Sequence, residues 1–183
     1  MESLEKHFLI ASPYMLDPNF QRTVVLMVQH SDEGAFGLVI NRPTEKLLKD
    51  LWREVHNCAC DSEEPVHLGG PVPGPIMAIH TDPTLGEKEI IPGLYFSLKN
   101  SLVDQLVRQQ EHKYKVFVGH SGWGPGQLER ELKVGAWLVL PATTEYCFYD
   151  QSEIWSVVTH AIGRDLLVAG LGLKHFPHDP TVN

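Results

Sequence analysis

The sequence predicts a mostly antiparallel α+β domain, and three observations predict it. Apolar, β-branched runs come early and in clusters, helical patterns are few and scattered, and glycine or proline marks most junctions. That order differs from the regular strand–helix alternation of a doubly wound parallel sheet. With 183 residues, 43% hydrophobic and 21% charged, the chain is sized for one core-forming domain over 1–183, with a loosely attached tail from about residue 173.

Each element has its own reason. Phe8-Leu9-Ile10-Ala11 reads as a short strand ended by Pro13, and 15–19 as loop. Thr23 to Val28 is apolar and β-branched throughout, as a strand buried on both faces would be. A turn at 31–34 leads to a second strand, Phe36 to Ile40, so the two form a hairpin. Asn41-Arg42-Pro43 stops it, because Pro43 cannot donate to a sheet. Thr44 is placed to cap a helix to about Trp52, with Leu47, Leu48 and Leu51 on one side. Residues 56–64 read as an exposed polar loop. Val66 to Leu68 is a short strand running into the turn residues of 69–75, and Ile76 to His80 is another strand.

Glu89 to Ile91 and Leu94 to Phe96 are strand fragments split by Pro92-Gly93. Ser101 with Asp104 starts a helix to about Glu111 that buries Leu102, Val103, Leu106 and Val107. Val116 to Val118 is a strand leading into Gly119-His120-Ser121-Gly122-Trp123-Gly124-Pro125, where Pro125 suits a first helical position and Gly135 the end. Ala136 to Leu140 and Tyr146 to Tyr149 read as strands. Ser152 caps a last helix with Trp155, Val158 and Ile162 inward and Gly163 at its end.

Charge narrows the function classes. Fifteen Lys and Arg against 23 Asp and Glu give −8, and the densest basic stretch, Lys46 to Arg53, is interrupted by acids. A negative surface repels phosphate backbones, which argues against nucleic acid as a partner. Three cysteines, Cys58, Cys60 and Cys147, make no disulfide framework. The N-terminus lacks a signal-peptide pattern, and no apolar run approaches the ~18 residues of a membrane span, so a cytoplasmic protein is expected.

Several stretches invite a chemical reading. Gly119-His120-Ser121 follows a strand and precedes a helix, as a hydrolase nucleophile elbow does. That motif needs a second glycine where this chain has Trp123. His30 and His80, each ending a strand, could serve as an acid–base pair, or as neutral rings bonded to backbone. His56, Cys58, Cys60 and His67 offer zinc donors, but one residue between the cysteines is too few for a structural site, so no metal is expected. The glycines of 68–75 lack both the Lys-Ser/Thr of a phosphate loop and dinucleotide spacing, so no cofactor is expected. A binding cleft remains as a hypothesis, lined by Asn41, Arg42, Gly69, Gly70, Trp123, Gln127 and Glu129. There the helix start near Pro125 and the Arg42 guanidinium would attract a small anionic ligand or a protein partner.

The order of Phe8 to Pro13, Gly34 to Pro43, Gly69-Gly70-Pro71-Val72, Ile79-His80 and Gly122 to Glu131 resembles the bacterial YqgE/AlgH family, over about residues 7–162. The resemblance implies an α+β fold whose bifurcated, largely antiparallel sheet curls into a pseudo-barrel with a few flanking helices. It implies no activity and no catalytic residues. Members can carry alanine where Ser121 stands, and some are described as transcriptional regulators. Three functions stay open: a non-enzymatic binding or regulatory domain, a hydrolase using Ser121 or a histidine, and a DNA-binding regulator. Apolar strand edges also leave a homo-oligomer open.

Overall fold

A computed structural model describes residues 3–56 and 60–171. Its first sheet holds five strands: β1 (His7–Ala11), β2 (Val24–Ser31), β3 (Gly34–Val39), β10 (Ser121–Trp123) and β11 (Trp137–Pro141), in the order β10-β3-β2-β1-β11. The second holds six: β4 (Pro43–Leu47), β5 (Pro65–Leu68), β6 (Met77–His80), β7 (Lys88–Ile91), β8 (Leu94–Ser97) and β9 (Tyr114–Val118), in the order β4-β5-β9-β6-β8-β7. All pairs are antiparallel except β5 with β9. The helices are α1 (Leu48–His56), α2 (Asn100–Arg108), α3 (Gln127–Lys133), α4 (Thr144–Cys147) and α5 (Ile154–Leu171). The α+β class holds. The single sheet curled into a pseudo-barrel does not follow: the described strands pair as two open sheets, and neither closes.

Period-two alternation explains why β1 is apolar from Phe8 to Ala11 and β2 from Val24 to Val28. Phe8, Ile10, Val24, Leu26 and Val28 point between the sheets, towards Met77, Ile79 and Phe117, with Cys147 and Val158 closing that core. Leu9, Ala11, Val25 and Met27 point the other way, under Trp123, Trp137 and Leu128 of α3. The outer face of the second sheet is covered in turn by α1 and α2 through Leu48, Trp52, Val103 and Leu106. The central strands are therefore covered on both faces, while the edge strands β4, β7 and β11 keep exposed positions.

The two sheets are stitched at one seam. The Gly69 carbonyl accepts the Val39 amide of the first sheet (2.9 Å), while the Gly69 amide donates to Val118 of the second. From Val118 the chain turns through Gly119-His120, bridges Val72, and enters the first sheet as β10. Such close crossing leaves no room for side chains. A Cβ on Gly69 would lie 2.4 Å from the Gly119 carbonyl oxygen, and one on Gly70 would lie 2.3 Å from the His120 carbonyl carbon.

Several boundaries differ from expectation. Thr44 caps no helix: Pro43 opens an edge strand, where its missing N–H costs nothing, and the Thr44 hydroxyl donates to Val66 (2.8 Å). Helix α1 starts only at Leu48. Lys99, not Ser101, precedes α2, which ends at Arg108, and Leu102 is only partly buried. Gly126 with positive φ, not Pro125, precedes α3. The strand expected at Tyr146 to Tyr149 is instead α4 and its exit, started by the Thr143 hydroxyl accepting the Tyr146 amide (3.2 Å). Asp150, which binds the Ser152 amide and hydroxyl, sets the start of α5. Gly163 does not stop that helix, which continues to Leu171. Cys60, expected in an exposed loop, is buried. Cys58 and the tail lie outside the described residues.

Candidate functional site

Of the residues proposed from sequence to line a cleft, Asn41, Arg42 and Trp123 gather around one loop, 17–23, while Gln127, Glu129, Gly69 and Gly70 are engaged elsewhere. Asn41 Oδ1 accepts the Val24 amide and its Nδ2 donates to Arg22, both at 2.9 Å. The Arg42 guanidinium donates to the carbonyls of Pro18 (2.9 Å) and Gln21 (3.4 Å). Between those two carbonyls sits Phe20, whose ring stacks on Trp123 and meets Trp137 edge-on. Glu131 binds the group from below: its Oε2 accepts both indole N–H groups, from Trp123 (2.9 Å) and Trp137 (2.7 Å), while Oε1 accepts the Gln127 amide. Gln127 in turn accepts the Gly124 amide. Glu129 accepts from His30 Nε2 (3.0 Å), because His30 Nδ1 already accepts the Leu4 amide. Its own backbone amide and then His30 hold the Glu129 carboxyl below its ordinary range, against partial burial. Gly69 and Gly70 belong to the seam. This is a latch, with Trp123 only 5% exposed.

The sequence-level catalytic candidates separate. Ser121 is fully buried and its Oγ donates to the Gly69 carbonyl (3.1 Å); no histidine among the described residues bonds to it. His30 and His80 belong to different sheets and hold different partners, Glu129 for one and Ser97 for the other. Among the described residues no three His, Cys, Asp or Glu side chains gather to hold a metal ion.

What the fold assembles instead is a set of buried titratable groups under α4 and the start of α5. Lys115, on β9, is 7% exposed, and its Nζ donates to the Ile40 carbonyl (2.9 Å). No carboxylate among the described residues lies within ion-pair reach of it. Burial pushes the ammonium down to about 8, with Cys147 and Glu64 opposing. Burial likewise pushes the Cys147 thiol up to about 12, with Lys115 opposing. His67 Nε2 bonds Gln151 Oε1 (2.9 Å) and its buried Nδ1 has no hydrogen-bond partner among the described residues. Burial and then the Lys115 charge lower that imidazole to about 4. Lys115 and Gln151 also form part of the wall of a polar cavity of about 900 Å³, whose lining mixes Arg108 and Lys113 with the acids Asp61, Glu63, Glu64 and Glu111. Of these three buried groups only Lys115 reaches the cavity wall, and among the described residues its ammonium has no ion-pair partner.

Known proteins place the architecture. The model of the AlgH-like family matches residues 8–167, nearly the whole described chain. The chain belongs to the AlgH-like family. A UPF0301 protein of Myxococcus xanthus is 37% identical over 181 residues, 95% of this chain and 100% of its own length. Another, from Chlorobaculum tepidum, is 36% identical over 155 residues, 81% of each chain. The solution structure of AlgH from Pseudomonas aeruginosa overlays with a TM-score of 0.73 at 30% identity, covering 97% of both chains. A crystal structure from Corynebacterium diphtheriae gives 0.72 over 88% of each chain at 22% identity, a likeness of fold alone. The family is one of uncharacterised function, so membership explains the frame and leaves the chemistry to the side chains.

Within this AlgH-like frame, Lys115 was not singled out by the sequence reading, although a signal was present. In Tyr114-Lys115-Val116-Phe117-Val118, strand alternation puts Lys115 on the face of Phe117, which points between the sheets. A lysine at an inward position of a central strand is the mark. Cys147 and His67 were seen only as a leftover thiol and a zinc donor, because nothing local joins 67, 115 and 147.

Proposed function

We propose that this AlgH-like protein is a non-enzymatic binding domain whose ligand is a small anion held at Lys115. One observation carries the reading: an ammonium with only 7% of its residue exposed, one backbone hydrogen bond and no carboxylate partner among the described residues, on the wall of a polar cavity. An uncompensated buried cation is costly, and a bound carboxylate or phosphate would supply the missing charge and accept the remaining N–H groups. Occupancy would also raise the Lys115 pKa, so binding would take up protons near pH 8. The hydrolase reading has little support while Ser121 Oγ is committed to Gly69, and a DNA-binding reading has to contend with a net charge of −8.

The test is a thermal-shift panel of phosphate and small mono- and dicarboxylates on the wild type and on Lys115→Met. A panel member that raises the midpoint of the wild type but not of a well-folded Lys115→Met supports the reading. An equal response in both proteins, or no response to any member, ends it.

A further inference from the structure

A second cavity, of about 430 Å³, opens between the two sheets and shares no lining residue with the first. Val28, Phe36, Met77, Phe96 and Leu98 make its wall apolar, and His120 stands within it. Phe36 meets Phe96 edge-on, with ring centroids 6.0 Å apart, and lies 5.1 Å from the His120 ring. A β-bulge shapes the rim: two β2 steps, Met27 to Gln29, face one step of β3, so Val28 leaves the ladder. Its freed carbonyl accepts the Lys88 ammonium (2.6 Å).

The polar groups of this cavity divide cleanly. Lys88 is spent on Val28 and Glu5, and Glu87 on Lys99 and the amides of Leu98 and Lys99. The two charges oppose each other, so the rim offers no net charge to a ligand. The His120 imidazole and the Gln29 amide have no hydrogen-bond partner among the described residues, and His120 Nδ1 is also cut off from water. The sealed Nδ1 faces no ligand either, so Nε2 is the ring nitrogen left to bond a molecule in the cavity.

We propose that this cavity binds a small uncharged aromatic alcohol, a phenol-like molecule, with its ring against Phe36 and Phe96 and its hydroxyl bonded to the His120 imidazole. The volume fits one or two fused rings and excludes a protein segment. The crossed phenylalanines offer an edge and a face to a third ring. A hydroxyl both donates and accepts, so it suits either tautomer of the imidazole. A carboxylate would find both nearby charges already committed.

The test is isothermal titration of the full chain with 1-naphthol, naphthalene and 2-naphthoate. The expected order is 1-naphthol about tenfold tighter than naphthalene, the worth of one net hydrogen bond, with 2-naphthoate no tighter than naphthalene. His120→Phe is expected to erase the tenfold preference while leaving naphthalene binding in place. Leu98→Trp, at a rim position 44% exposed and so tolerant of substitution, is expected to abolish binding of both. No binding of 1-naphthol up to millimolar concentration overturns the proposal. So does 2-naphthoate binding most tightly, or a naphthol preference that survives in His120→Phe. Lys115→Met is expected to leave naphthol binding unchanged, which keeps this result separate from the anion site.

Discussion

Glu131 and Lys115 are two charged side chains in apolar surroundings, and they are treated in opposite ways. The Glu131 carboxylate receives three donors, from Trp123, Trp137 and Gln127, and closes the Phe20 latch. The Lys115 ammonium receives one backbone carbonyl and, among the described residues, no carboxylate within ion-pair reach. A satisfied ion such as half-buried Glu131 specifies structure; an unsatisfied buried one stores a penalty that a ligand can relieve. Conspicuous sequence therefore marked the latch, and the quieter residue marks the candidate site.

The sharpest way to break that contrast is to strip the satisfied ion. Glu131→Ala leaves two indole N–H groups, on residues 5% and 3% exposed, without an acceptor. The expected loss is about 4 kcal/mol in urea denaturation, since hydrogen bonds to charged groups are the strong ones and orphaned donors add their desolvation. A loss under about 1 kcal/mol would mean that the latch is decorative and that Trp123 packs without it.

How much of this was legible follows the range of the cause. The two-faced burial of β1 and β2 is written in consecutive apolar residues, and the hairpin in its turn. The expected strand at Tyr146 to Tyr149 failed because aromatic residues resemble a strand while Thr143, three residues before Tyr146, was already a readable N-cap. The Thr44 cap failed for a converse reason: its hydroxyl was taken by Val66, 22 residues away. Arg42, Trp123 and Gln127 were read as lining a cleft, whereas their hydrogen-bond partners include loop carbonyls and Glu131, which no local pattern discloses. The Lys115 site joins positions 67, 115 and 147 through both sheets and α4, and only tertiary contact can assemble it.

The unsatisfied region has its own signatures in pH. His67 titrates at about 4 when folded and near 6.5 when unfolded. Between those values the unfolded chain binds a proton that the folded chain refuses, so stability falls as pH drops from 6.5 to 4. The loss is up to about 3 kcal/mol. Urea midpoints at pH 7 and 4.5 are expected to differ less in His67→Phe than in the wild type. Equal slopes in the two proteins would remove His67 from the buried set.

Lys115 gives a smaller, alkaline counterpart. Its ammonium titrates at about 8 folded against 10.5 unfolded, so the wild type gains stability from this group as pH rises from 8 to 10.5. Lys115→Met lacks that gain but escapes the buried charge at pH 7, while losing the Ile40 contact. The expected result is a variant more stable than wild type by about 2 kcal/mol at pH 7, with the gap closing towards pH 10. Cys147, whose folded thiol is pushed up to about 12 with Lys115 opposing, lowers stability above pH 9 in both proteins and by different amounts, so the comparison isolates the lysine only up to about pH 9. A variant less stable than wild type at pH 7 would place Lys115 with Glu131, among the satisfied ions.

The smallest expected effect falls on the residue that first looks most chemical. Ser121→Ala removes one hydroxyl donor from the Gly69 carbonyl, which keeps the Val39 amide as a partner at 2.9 Å. No acceptor is orphaned, and alanine fits a fully buried serine site without a clash. The cost is therefore one net hydrogen bond, about 1 kcal/mol, and responses to small anions and to 1-naphthol are expected to match the wild type. If Ser121→Ala instead abolished either response at unchanged stability, the seam between the sheets would have to open in solution to release that hydroxyl. The line between latch and site would then run through Gly69, with Ser121 on the side of the site.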